Sequence, residues 1–325
     1  VYCLGQFCGA LLGGYFGALI GPKKTMQMFC ILAVLGWILL ATASHISLLI
    51  IGRILTGIAS STLVANTSLL VSQYSSIHKR GSFLALFTLM VSGGLTLVYA
   101  LGAIMYWRIV AAIPIVLIIF LFGGLFLVPE SPIWILGHKG EEETKRALEW
   151  LRGGEDVSNE LEELKKTQEN MNGSVGIMEA LRNFSRPDIY KPVSLITINF
   201  ILVMLSGPFA IVFYAVQIFK DAGLDGNEYY AAILIGFIRI SSGFFAIYII
   251  HNFSRTKLAH FTFLTMGISM LGLGSVMYIQ SDGENSGVLQ ILSVIFVTLY
   301  MFSFGLGIGP LQWVFLGELM PPEYK

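Results

Sequence analysis

The sequence predicts an all-α, polytopic membrane protein of about nine transmembrane helices with a cytoplasmic helical linker, and three observations lead there. First, 55% of the 325 residues are hydrophobic and only 12% are charged, with a mean hydropathy of +0.75. That is too apolar for a water-soluble domain of this length. Second, apolar runs of roughly 18 to 28 residues recur between short polar breaks, each long enough to cross about 30 Å of hydrocarbon as a helix. Third, Lys and Arg collect in alternate loops, as they do on the cytoplasmic side of membrane proteins.

The runs fall at approximately 2–20, 26–44, 47–73, 82–103, 107–128, 191–219, 229–250, 257–279 and 288–317. The chain opens inside the first of them, without an initiator Met or a signal-peptide n-region, and stops after "PPEYK". It therefore reads as truncated at both ends. Lys23 and Lys24, then His78, Lys79 and Arg80, then Arg255 and Lys257, and finally Lys325 mark one side as cytoplasmic. The loops "KDAGLDGNE" and "QSDGENSG" mark the other as outside. Asn66 of the four sequons lies within a span, and Asn172, Asn183 and Asn252 face the cytoplasm, so none reads as a glycan site.

Formal net charge is zero, and no basic stripe with interleaved aromatics argues for nucleic acid. Cys3, Cys8 and Cys30 lack metal-ligand spacing and read as small core residues. His45, His138 and His260 have no clustered carboxylates or thiolates and read as surface residues. No convergent nucleophile, base and metal ligands appear, so the residues predict neither an enzyme nor a cofactor. The expected partners are a small-molecule solute and the lipid bilayer, and the expected location is the cell membrane.

Three domains are expected: an N-terminal half at 1–128, a cytoplasmic helical linker at 129–190 and a C-terminal half at 191–325. The linker holds thirteen acidic and eight basic side chains, more than half of the 40 charges in the chain, so it must be solvated. "EEETKRALEWLRG" places Leu148 and Leu151 on a helical stripe, with acids at its start and Arg152 at its end, as the helix dipole prefers. In "SNELEELKKTQEN", Ser158 is the expected N-cap of a second helix with Leu161 and Leu164 as its apolar face.

The stretch "LVMLSGPFAIVFY", Leu202 to Tyr214, interrupts a long apolar run with Ser206-Gly207-Pro208. In a helix interior Pro costs about 3 kcal/mol. Alone, the break reads equally as a gate or as a tolerated membrane-helix kink whose freed carbonyls are satisfied by neighbours.

Two further stretches carry a resemblance. "LVPESPIWILGHKGEEETKRALEWLRG" resembles the PESPRWL signature of sugar porters of the major facilitator superfamily, and "GIGPLQWVFLGELMPP" resembles their GPxPW...GExFP signature. With "GRILTGIAS", "KRGSF" and "LSG...FYAVQIF.DAG" in register between them, the resemblance covers the chain and is nearest to insect facilitated trehalose transporters. It implies a partial major facilitator fold: family helices two to six, the linker, then helices seven to ten, with helices one, eleven and twelve absent. Substrate would bind near the midplane between the halves.

By that register the break falls in helix seven, with Pro208 bending a gate. Trp313 is implied as a wall of the substrate path, Tyr214 as an outer-gate residue, Ser206 and Gly207 as its bend, and Gly307, Gly309 and Pro310 as a second hinge. The family reads sugar hydroxyls with side-chain amides, which both donate and accept. Here Val203, Met204 and Phe209 stand at the helix-seven amide positions, Thr88 at the helix-five glutamine, Arg239 at the helix-eight asparagine, Gln312 at a helix-ten proline and Gly305 at a polar position.

Arg239 sits about ten residues into a span, where translocon scales charge roughly 2.5 to 3.5 kcal/mol. Either it faces the path and favours an anionic solute, or it is a structural pairing residue. Arg53 matches a family arginine expected to pair within the bundle. Of the cytoplasmic charge network, Arg80, Glu130, Arg255 and Glu318 are kept, whereas Ala18, Gln73, Ile133 and His251 replace charged residues. Three readings stay open: a facilitative transporter of a sugar of the trehalose or hexose class working by alternating access, a non-transporting sensor-like relative, or a transporter of another small solute.

Overall fold

The computed structural model describes residues 1–75, 80–154, 157, 158, 160–165, 187–224, 226–281 and 286–312. Among them every regular element is helical: α1 (Tyr2–Ile20), α2 (Pro22–Ala41), α3 (Ile46–Tyr74), α4 (Arg80–Ile104), α5 (Trp107–Gly124), α6 (Pro132–His138), α7 (Glu141–Arg152), α8 (Pro187–Leu205), α9 (Pro208–Asp221), α10 (Glu228–Asn252), α11 (Arg255–Ser281) and α12 (Gly287–Leu306). In hydrocarbon a helix satisfies its own backbone donors and acceptors, so long apolar runs of this kind have little alternative. Among the described residues, eight helical stretches are long and apolar enough to cross a membrane, and the expected fourth span adds the shorter apolar stretch Leu89–Ile104.

The chain packs as two units, Val1–Phe87 with Met105–Gly173, and Thr88–Ile104 with Ser174–Lys325. In the first unit, α1 presents Gly5, Gly9, Gly13 and Gly17 on one buried face. These pack against α3 so closely that a Cβ on Gly9 would strike the Ile58 carbonyl and the Ser61 hydroxyl. Small residues permit this approach where no hydrophobic force between helices exists. The seam is also hydrogen-bonded: Thr62 Oγ1 donates to the Gly9 carbonyl at 2.7 Å, and Asn66 Nδ2 donates to the Gly13 carbonyl at 3.4 Å. Met26, Cys30, Leu70 and Leu125 form the apolar core beside it.

The linker elements are set by local signals. Ser131 caps α6, its Oγ accepting the Trp134 N–H at 3.2 Å, with Pro132 in the first turn. α7 carries Glu141, Glu142 and Glu143 in its first turn and Arg152 in its last, and ends at left-handed Gly153. Leu148 packs with Val157, Leu161 and Leu164. The Val157 carbonyl accepts the Leu161 N–H, and Ser158 already lies within the second helix. That helix therefore starts one residue earlier than the Ser158 cap implies.

Cys30 is buried, but Cys3 and Cys8 are exposed on α1. The small-core reading holds for one of the three, because the glycine face of α1 and not its cysteine positions turns inward. Arg53 is exposed and has no ion pair among the described residues, so the expected pairing within the bundle is not seen. His45, His138 and His260 are exposed.

The second unit has a core of Val203, Ile211, Ala215, Phe219, Ala232, Ile235, Met266, Val297, Tyr300, Met301 and Ile308. Through these residues α9 packs against α10 and α12, and α11 packs against α12. Two of its spans are interrupted, one between α8 and α9 and the other at Gly307, where α12 ends before one more turn is described to Gln312.

Candidate functional site

The interruption at Ser206-Gly207-Pro208 is a full break. α8 ends at Leu205 and α9 begins at Pro208, with Gly207 between them in the left-handed region at φ 95° and ψ 18°. Glycine alone adopts that conformation without steric cost. Pro208 occupies the first helical position of α9, where its missing N–H would have had no helical partner in any case. The interior penalty that the sequence implies is thus avoided.

The groups exposed by the break find partners within the second unit. Tyr300 of α12 is 1% exposed. Its hydroxyl donates to the Ser206 carbonyl at 2.9 Å and lies 3.1 Å from Ser206 Oγ. Ser206 Oγ donates to the Val203 carbonyl at 2.8 Å, and the Gly207 N–H reaches the Met204 carbonyl at 3.3 Å. Further along α9, Tyr99 of α4 donates to the Val212 carbonyl at 2.5 Å. Two residues on, Tyr214 departs from helical dihedrals at φ −115° and ψ 16°, and it is exposed. Sequence reasoning missed Tyr99 and Tyr300. A tyrosine within an apolar run was the available signal, since a buried phenol needs a partner.

The three positions implied to lack amides differ in setting. Val203 is 0% exposed, inside the core, whereas Phe209 is 48% exposed and stacks on Phe213 with ring centroids 6.2 Å apart. Met204 is also exposed. Arg239 is half-buried, its guanidinium 5.6 Å from the centroid of the Phe304 ring. Among the described residues it has no ion pair. At Gly305, one residue past Phe304, a Cβ would collide with Ser242 Oγ, so this position of α12 has no room for a side chain.

Gly307 ends α12 at φ −124° and ψ −88°. A Cβ there would meet Thr262, and one on Gly309 would meet the Phe304 carbonyl. Pro310 follows, and Gln312 is buried with its Oε1 lacking a partner among the described residues. Trp313 and Glu318 lie outside the described residues, as do the side chains of Thr88 and Arg80. Arg255 is exposed at the start of α11.

In the first unit, Glu130 is bound to backbone. Its carboxylate accepts the Lys23 and Lys24 N–H groups at 2.8 and 3.2 Å, at the start of α2, and the Ser131 N–H at 3.1 Å. Gly21, at φ 94°, has no room for a Cβ beside this carboxylate. Nearby, Trp134 Nε1 donates to the Ala18 carbonyl at 3.0 Å and Lys23 Nζ to the Val128 carbonyl at 2.7 Å. Arg152 forks onto Glu160 at 2.9 and 2.5 Å and donates to the Tyr74 carbonyl at 2.7 Å, while Tyr74 donates to the Pro129 carbonyl at 2.6 Å. A hollow of about 290 Å³ lies among these elements, lined by Gly17, Ala18, Asn66, Gln73, Ile133 and Trp134. Ala18, Gln73 and Ile133 are three of the positions where the sequence implies lost charge, so smaller or neutral side chains border open space there.

Long apolar helices, a polar linker packed on one unit and two broken spans in the other define a multi-pass membrane protein of the major facilitator fold. The family described as "Sugar (and other) transporter" matches residues 1–325, and the chain belongs to it. The facilitated trehalose transporter of Apis mellifera ligustica is 30% identical over 331 residues, covering 99% of this chain and 64% of that protein. The Aedes aegypti transporter of the same description is 27% identical over 327 residues, covering 99% of this chain and 40% of that protein. The chain thus spans less than two thirds of the length of these relatives. The Escherichia coli xylose transporter XylE, in a partially occluded inward-open conformation, superposes with a TM-score of 0.79 at 20% identity, over 98% of this chain and 73% of that one. A structure of XylE bound to 6-bromo-6-deoxy-D-glucose gives 0.79 at 22% identity, over 99% and 72%.

Proposed function

We propose that the chain forms the core of a facilitative transporter, carrying a sugar of the trehalose or hexose class across the cell membrane by alternating access. Residues 1–128 and 191–325 serve as its two halves, with 129–190 as the linker. The observation that carries this reading is the Ser206-Gly207-Pro208 break. The Val203 and Ser206 carbonyls are held there by side-chain hydroxyls, so the span bends with these backbone groups paired in hydrocarbon. Family membership and the trehalose transporters among the relatives support the substrate class.

In this reading Phe209, Tyr214 and Trp313 border the path, Thr88, Arg239 and Gln312 contribute its polar groups, and Gly307, Gly309 and Pro310 supply the second hinge. Arg80, Glu130, Arg255 and Glu318 act at the cytoplasmic rim. The solute leaves as it entered, so no catalytic step or cofactor is invoked. The test is uptake of radiolabelled trehalose and glucose by oocytes carrying the full-length protein at their surface. Uptake well above water-injected controls, saturable and running down the gradient, is expected. Uptake equal to controls overturns the reading in favour of a sensor-like relative, which the apolar side chains at Val203, Met204 and Phe209 would suit.

A further inference from the structure

Both broken spans of the second unit meet at one hydroxyl. Tyr300 lies seven positions before Gly307, about two turns of α12 at about 1.5 Å per residue, and its Oη donates to the Ser206 carbonyl inside the α8–α9 break. We propose that Tyr300 is a positioning residue that couples the two breaks, its hydroxyl tying the bend at Ser206-Gly207-Pro208 to the α12 segment that ends at Gly307.

The chemistry of the contact fits a coupling element better than a passive packing contact. The ring is fixed in the core beside Val203, Ile211, Met301 and Phe304, so the hydroxyl cannot follow α9 unless α12 moves too. Ser206 has one hydroxyl hydrogen and two acceptors within reach, the Val203 carbonyl at 2.8 Å and Tyr300 Oη at 3.1 Å. That hydrogen is held by the Val203 carbonyl, so Ser206 Oγ ties the end of α8 to the Tyr300 hydroxyl. Straightening the break would separate Tyr300 from the Ser206 carbonyl and cost the buried phenol its hydrogen bond. The second tyrosine limits where motion can go. Tyr99 holds the Val212 carbonyl just before the irregular turn at Tyr214, so α9 is fixed from α4 at that point and from α12 at its start.

The proposal concerns the break invoked for transport, but its first test needs no transported solute. In full-length protein freed of its native cysteines, Cys3, Cys8 and Cys30 among them, and carrying Phe209→Cys, the rate of maleimide labelling at position 209 is measured with and without Tyr300→Phe. That substitution keeps the ring and removes only the hydroxyl. The labelling rate is expected to change by at least about fivefold, with a smaller change in the same direction for Ser206→Ala. The double variant should change the rate by less than the product of the two single effects, because the two hydroxyls lie in contact.

Where the protein takes up sugar, Tyr300→Phe should alter maximal uptake per molecule several-fold while leaving KM within about twofold. A packing role alone would lower the amount of folded protein and leave both constants per molecule unchanged. Unaltered labelling in surface-expressed Tyr300→Phe, or multiplicative effects in the double variant, overturns the coupling. If Tyr300→Phe does not reach the surface, Tyr300→Leu, which likewise lacks the hydroxyl, is labelled in its place, and an unchanged rate overturns the proposal.

Discussion

The Glu130 carboxylate accepts the backbone N–H of Lys23, 107 positions earlier in the chain, at 2.8 Å. A residue of the linker thereby closes the N-terminus of a membrane helix, where backbone donors are otherwise unpaired and the helix dipole favours negative charge. Hydrogen bonds to a charged group contribute about 1.5–3 kcal/mol. Glu130→Gln should therefore lower the melting temperature of detergent-purified full-length protein by several degrees, and Glu130→Ala by more. A Glu130→Gln protein as stable as the parent would show that the cap is dispensable.

The glycine face of α1 allows a paired comparison. Gly9→Ala sets a methyl against the Ile58 carbonyl, whereas Gly14→Ala meets nothing within 4 Å. Gly9→Ala should reduce the folded yield sharply and Gly14→Ala should leave it unchanged, both read by fluorescence-detected size-exclusion chromatography. Equal yields would contradict the close approach of α1 and α3.

Arg152 joins the linker to the end of α3 through Glu160 and the Tyr74 carbonyl. Lysine offers one point charge where the guanidinium offers a planar fork, so it cannot keep all three bonds. Arg152→Lys should speed tryptic cleavage of the linker at sites other than 152. A thermal double-mutant cycle with Glu160→Gln should give a coupling on the order of 1 kcal/mol. Additive behaviour of the two substitutions would remove Glu160 from the junction.

Restoring amides should separate core from path. Val203→Gln buries an amide among apolar neighbours, at a cost of about 1–3 kcal/mol for each unpaired group, and should impair folding. Phe209→Asn lies at an exposed position and should fold normally while lowering KM for glucose uptake. A folded Phe209→Asn protein with unchanged KM would remove that position from the substrate path.

Arg239 stacks over Phe304. Its replacement by Asn removes the cation and returns a group able to bind neutral hydroxyls. If it borders the path, Arg239→Asn should shift neutral-sugar uptake by at least several-fold relative to Arg239→Lys. Unchanged uptake of neutral sugars and of anions in both variants would leave it a purely structural residue.

Much of the fold was legible because hydrocarbon imposes helices on any long apolar run, and because Ser, Pro and Gly mark helix ends chemically, as at Ser131 and Gly153. The "PESP" signature pointed to the right fold because its residues serve tertiary contacts, Glu130 holding the Lys23 and Lys24 N–H groups and Trp134 the Ala18 carbonyl. The setting of Val203 was not legible, since one apolar residue in an apolar run carries no mark of which face it takes. Nor was the part played by Tyr99 and Tyr300, because their carbonyl partners lie on other helices and leave no pattern in the chain. The inward face of α1 was written in its glycines and not in its cysteines, whose side chains are too large for a seam that has no room for a Cβ at Gly5 or Gly9.

The break at Gly207 also bears on how the protein is made. Residues 190–221 form one hydrophobic stretch of 32 residues to anything that reads hydropathy, yet α9 has only 14 residues, about 21 Å at about 1.5 Å per residue. That is short of the roughly 30 Å hydrocarbon layer. The insertion machinery must therefore accept the stretch as a single segment. The joint can be set only afterwards, when α12, synthesised later, brings Tyr300 to the Ser206 carbonyl.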